Sequence, residues 1–113
     1  MKPTLKKRLL DALEACRAIQ GFVAGRSFAD YERNLMLRSA VERQFEIIGE
    51  ALSHAEIEQA ELTTLIPDLR RIVGLRNRII HGYDSVDDQL LWQTVHAHLP
   101  PLAHQLEQLL ASE

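Results

Sequence analysis

The stretch GLRNRIIHGYD, residues 74–84, gathers Arg76, Asn77, Arg78, His81 and Tyr83 among residues that otherwise suit a helix core. An imidazole ordinarily titrates near pH ~6.5, so His81 can take or give a proton at neutrality. A guanidinium stays charged and offers a planar fork of donors to an oxyanion. Side by side, the two could move a proton while steadying a negative charge that builds nearby, with Asn77 to orient either partner.

The spacing sets a geometric problem. On a helix turning about 100° per residue, Leu69, Ile72, Val73, Ile79 and Ile80 surround Arg76, which places its charge at the centre of the apolar face. A lone charge there would be prohibitively costly, so either a carboxylate meets it or the face lines a cleft. Glu42, on the edge of the preceding helix, is the first candidate partner, and Glu46 the second. Asn77 and His81, four apart, share a ridge with Arg70 and Gly74 along the flank of that face. Arg76 and His81, five apart, diverge by about 140° on an ideal helix. Bringing them together needs side-chain reach, a loosened last turn before Gly82, or a second protomer, and a cleft shared across a twofold axis is the favoured arrangement.

Apolar residues recur at three- and four-residue spacing along nearly the whole chain, without strand-like alternation or internal repeats, which predicts an all-α fold. A first helix should run from about Thr4 to Val23, with Leu9, Leu10, Leu13, Cys16 or Arg17, and Ile19 or Gln20 tracing its inner face, and end at Gly25. Ser27 and Asp30 have capping-box spacing. A second, longest helix, about Tyr31 to Glu58, carries the stripe Leu37, Val41, Phe45, Ile48, Leu52 and Ala55. Pro67 suits the first turn of a third helix ending at Gly82. Ser85 and Asp88 repeat the capping pattern ahead of a fourth helix, and Pro100–Pro101 break the chain before a last one. The expected architecture is a single domain over 1–113, an up-and-down antiparallel bundle of four to five helices. At this length a dimer would add buried surface.

Composition narrows the classes further. The chain is 46% hydrophobic and 26% charged, the balance of a folded protein rather than a disordered one. Its one cysteine, Cys16, has no partner for a disulfide and no ligand ladder for zinc, so a reducing, cytoplasmic setting is expected, with neither metal nor cofactor. Asp11 and Glu14 interrupt the apolar run that could otherwise act as a signal or membrane span. The formal net charge of −3 does not announce a nucleic-acid binder. The distribution does more: Arg70, Arg71, Arg76 and Arg78 cluster, and no Lys or Arg follows them. His54, His96, His98 and His104 have no ligand spacing and read as surface or packing residues. Trp92 reads as a core or dimer-interface aromatic.

RNRIIHGY also resembles the R-x4-H-x-Y motif of the HepT-like toxins of the HEPN superfamily, with Arg76, His81 and Tyr83 on its fixed positions and Asn77 on the polar position after the arginine. LEACRAIQGFVAG, NLMLRSAVERQFEIIGEAL, IVGLRNRIIHGYDSVD and LLWQTVHAHLPPL resemble the family in the same order. The resemblance implies a HEPN-like dimeric bundle and a metal-independent RNA endonuclease acting as the toxin of a type VII toxin–antitoxin system. Its implied partner is an MntA-like nucleotidyltransferase antitoxin, forming a larger hetero-oligomer and transferring AMP to Tyr83. RNA would be the substrate, Arg76 and His81 the catalytic pair and Asn77 their support, with Glu42, from the helical wheel alone, as the further supporting residue. The competing reading is a non-catalytic helical adaptor that binds the nucleotidyltransferase or a nucleotide.

Overall fold

Proline has no N–H to leave unpaired, and Pro3 opens the first helix, α1 (Pro3–Val23), in the computed structural model, which describes residues 1–112. Leu5, Leu9, Ala12, Leu13, Cys16, Ile19 and Val23 form its buried face, whereas Leu10, expected inside, lies on the rim. Gly25, at φ +72°, takes the left-handed turn that ends the helix where the sequence placed its stop. The capping box then forms as expected. Ser27 Oγ accepts from Asp30 N at 3.1 Å and Asp30 accepts from Ser27 N at 2.9 Å, opening α2 (Phe28–Arg33).

The second expected helix is broken in two. Asn34 is extended, at φ −112° and ψ 96°, and its side chain accepts from Leu37 N at 3.0 Å to cap α3 (Leu35–Glu58). An asparagine at such a position competes with the helix for backbone hydrogen bonds, and the hydrophobic period alone does not register that competition. All six stripe residues of α3 are buried. A one-turn helix, α4 (Leu62–Leu65), fills the connection to α5 (Leu69–His81), with Pro67 in the turn before Asp68 rather than inside the helix. After a 3-10 turn (Tyr83–Ser85), α6 (Asp88–Ala97) is capped by Asp87, not Ser85. Asp87 Oδ1 accepts from Gln89 N at 3.0 Å and Leu90 N at 3.1 Å, while Ser85 Oγ turns back to the Gly82 carbonyl. Pro100 and Pro101 sit within the first turn of α7 (Leu99–Ala111), so the break falls one step earlier, at His98.

Among the described residues the elements are helices and turns alone, as the all-α expectation has it. The five longer helices pack in the spatial order α5, α3, α1, α7, α6. Successive neighbours run antiparallel: Thr4 of α1 donates to Glu58 at the end of α3 at 2.5 Å, and Arg70 at the start of α5 pairs with Glu56 at 3.0 Å. The ring does not close. α5 and α6 barely touch, and α2 packs on α3 and on α6, where Phe28 and Tyr31 meet the Trp92 ring at tilted angles. That open seam carries the site.

Candidate active site

Four buried side chains fix the roll of α5: Leu69, Ile72, Leu75 and Ile79. This face is turned away from the one the helical wheel predicts. Leu75 is buried, Ile80 is 38% exposed, and Arg76 lies half-buried at the flank toward α3 rather than at the centre. Gly49 explains the placement. A β-carbon added there would lie 2.3 Å from Arg76 Cβ and 2.7 Å from its Cγ, so the missing side chain of α3 is the space the Arg76 stem occupies.

Among the described residues the guanidinium pairs with no carboxylate. Glu42, the expected partner, stands in another cluster with Tyr31, Arg38, Asp88 and Glu46, while Glu46 pairs with Arg43 at 3.2 Å. Burial and then the Asp88 charge raise the Glu42 pKa against the opposing pull of Arg38, which itself lies 3.9 Å from Asp88. Arg76 instead donates from Nη1 to Asn77 Oδ1 at 3.1 Å, and its buried Nε has no hydrogen-bond partner. The divergence of Arg76 from the Asn77/His81 ridge is thus narrowed by side-chain reach around the helix.

Asn77 and His81 line the largest cavity of the seam, about 570 Å³, together with Arg78, Gly82, Val86 and Leu90. His81 is exposed in the last turn, where the amide of Gly82 closes onto the Arg78 carbonyl at 2.8 Å. Tyr83 follows immediately, 82% exposed on the 3-10 turn. Arg76 does not line the cavity itself and meets it through Asn77. Val86 and Leu90 were not singled out from the sequence, and Arg78 was named there only as one of the clustered arginines. The available signal was the pairing of Arg71 and Arg78, two turns apart on one side of α5.

The other reactive groups lie apart from this ridge. Cys16 is buried in the core, and desolvation pushes its thiol up to about 12. His98 Nδ1 lies 3.1 Å from Asp68 Oδ1, and His96 Nδ1 lies 2.9 Å from the Trp92 carbonyl, so both hold local structure. No helix of the described residues is long and apolar enough to cross a membrane.

Comparison with known proteins gives the family of the chain. The chain is 35% identical over 109 residues to a protein of Thermococcus cleftensis that carries the name probable ribonuclease HepT, covering 96% of this chain and 98% of that one. It is 33% identical over 101 residues, 89% of each chain, to a protein of Caldanaerobacter subterraneus named as an RNase. A Methanocaldococcus jannaschii protein, also named as an RNase, is 34% identical over 106 residues, 94% of this chain and 96% of its own. No solved structure matches. The model of the family described as ribonuclease HepT-like matches residues 12–109, and the chain belongs to that family.

Proposed function

We propose that this protein is a metal-independent endoribonuclease, the toxin of a toxin–antitoxin pair, working as a homodimer and silenced by AMP transfer to Tyr83. The observation that carries the reading is the joined ridge at the end of α5. Arg76 is hydrogen-bonded to Asn77, and Asn77 shares the cavity wall with His81.

Cleaving RNA without a metal requires a base for the ribose 2′-OH, an acid for the leaving 5′-oxygen and positive charge on the phosphoryl oxygens. His81 serves as the proton carrier. The 2′-oxygen attacks phosphorus as its proton leaves, the bond to the 5′-oxygen breaks as that oxygen gains a proton, and a 2′,3′-cyclic phosphate and a free 5′-OH result. Arg76 supplies the charge through its fork, and its half-buried stem on Gly49 holds the fork in place. Asn77 keeps the guanidinium turned toward the ridge. In the dimer, His81 of one protomer would take the 2′-OH proton and return it to the leaving 5′-oxygen beside the Arg76 of the other.

Tyr83 is suited to modification because its phenol is exposed and two residues from His81. An added AMP sets a phosphodiester charge and an adenine beside the ridge, excluding RNA by bulk and like charge. Expression of the chain alone should arrest growth and degrade RNA, and the purified protein should cut RNA in EDTA. A His81→Ala protein that stays toxic would overturn the mechanism and leave the adaptor reading. Incubation with an MntA-like nucleotidyltransferase and ATP should add adenylyl mass to Tyr83 and to no other residue. A wild-type chain that gains none under those conditions would refute the off-switch.

A further inference from the structure

The cavity beside His81 is not closed at its far end. It shares Leu75, Arg78 and Leu90 with a second cavity of about 290 Å³, and that one shares Arg71, Leu90 and Thr94 with a third of about 540 Å³ that reaches Trp92 and His96. The three form a groove along the whole open seam between α5 and α6.

Its walls differ in chemistry. One carries Arg78 and Arg71, about 10 Å apart along the helix axis. Arg78 is exposed and takes part in no side-chain hydrogen bond or ion pair among the described residues. Among the described residues Arg71 pairs only with Asp68, at 3.7 Å, while the third arginine of this ridge, Arg70, is held by Glu56 on the α3 side. Gly74 lies between the two groove arginines, with nothing within 4 Å of where its β-carbon would be. The floor is apolar, built by Leu75, Val86 and Leu90, and the groove ends at the Trp92 ring, half-buried and 4.5 Å from that of His96. The carboxylate at the His81 end, Asp87, is occupied with the first amides of α6.

We infer that the α5/α6 groove is a subsite for a single RNA strand leading away from the scissile phosphate, with Arg78 and Arg71 on phosphates of that strand and the bases on the apolar floor toward Trp92. This rests on the nuclease reading of His81. A single strand presents phosphates and flat apolar bases together, matching a basic wall beside an apolar floor. A duplex keeps its bases stacked inside and would offer that floor nothing. Arg78, and Arg71 with its single long contact to Asp68, also concentrate positive potential on one wall of a chain with net charge −3, where the strand would lie.

The test uses a fluorescent 2′-O-methyl oligoribonucleotide of mixed sequence, which has no 2′-OH to attack, free and annealed to its complement. The wild-type protein should bind the single strand more tightly than the duplex. An Arg71→Ala/Arg78→Ala protein of unchanged helical content should bind it about tenfold more weakly or worse. The dependence of log Kd on log salt should become shallower by about 0.7 for each arginine removed. Affinity and salt slope equal to wild type, or equal binding of the duplex, would overturn the proposal. So would a change in the oligomeric mass of the double variant, which would make the groove a contact between protein chains. A wild-type protein that binds as expected yet leaves unmodified RNA uncut would count against the nuclease reading and for the groove as a binding site.

Discussion

At the scale of single residues, the half-buried Arg76 is shaped by what it lacks as much as by what it touches. Its stem fills the place of a side chain at Gly49, its Nη1 holds Asn77, and no carboxylate among the described residues neutralises it. A charge held this way is directed outward, available to an anion. Replacing it with lysine keeps the charge and loses the fork, so Arg76→Lys should cut RNA about a hundredfold more slowly while remaining folded, read from cleavage of a defined oligoribonucleotide alongside circular dichroism. Near-wild-type cleavage by the lysine variant would mean that charge alone suffices. Cys16 makes the opposite case. Its thiol is buried and its pKa raised, so a thiol reagent should label it only after denaturant unfolds the chain.

At the scale of elements, the contact of α3 with α5 sets where the arginine stands. Gly49→Ala forces a β-carbon into the Arg76 stem close to the backbone of α5, where neither helix can swing away. It should destabilise the fold by about 1–3 kcal/mol and lower cleavage by displacing Arg76, measured from urea unfolding and RNA cleavage. Glu42 gives a second test on α3. A carboxyl whose pKa is raised on folding holds its proton more tightly in the native state, so stability falls as pH climbs from the unfolded value, near ~4.3, through the native one. Glu42→Gln should therefore raise Tm at neutral pH, and the gain should fade once the pH drops below the unfolded value. A lower Tm at neutrality would mean that the attraction to Arg38 outweighs burial and Asp88. Such local balances bound what the sequence could reveal. The α3 stripe and the Ser27/Asp30 cap were legible because period and spacing carry them directly. The roll of α5 was not, since it depends on a glycine of another helix. The choice of Asp87 over Ser85 as a cap was hidden likewise, because it turns on where the 3-10 turn ends. The motif residues were legible as a group, while the groove beyond them depends on how little α5 and α6 touch in the folded bundle.

At the scale of the whole molecule, the open ring leaves the ridge at one edge of the bundle, with Arg76 on the α3 side of α5 and His81 on the α6 side. The reach of Arg76 to Asn77 narrows their separation within one chain, yet the guanidinium still does not line the cavity that His81 borders. A second copy across a twofold axis would bring the arginine of one protomer to the histidine of the other, and complementation can read this directly. Arg76→Ala and His81→Ala proteins, each inactive alone, are mixed and allowed to exchange subunits. If each site draws its arginine and its histidine from different protomers, half of the dimers are mixed and one of their two sites is intact, so activity should return to about a quarter of wild type. If one protomer supplies both residues, or each site needs both histidines, every site in the mixture is damaged and no activity returns. Recovery after exchange, absent when the two proteins are assayed before exchange, would establish that the catalytic unit is the dimer and that the divergence of Arg76 and His81 on α5 is resolved between chains.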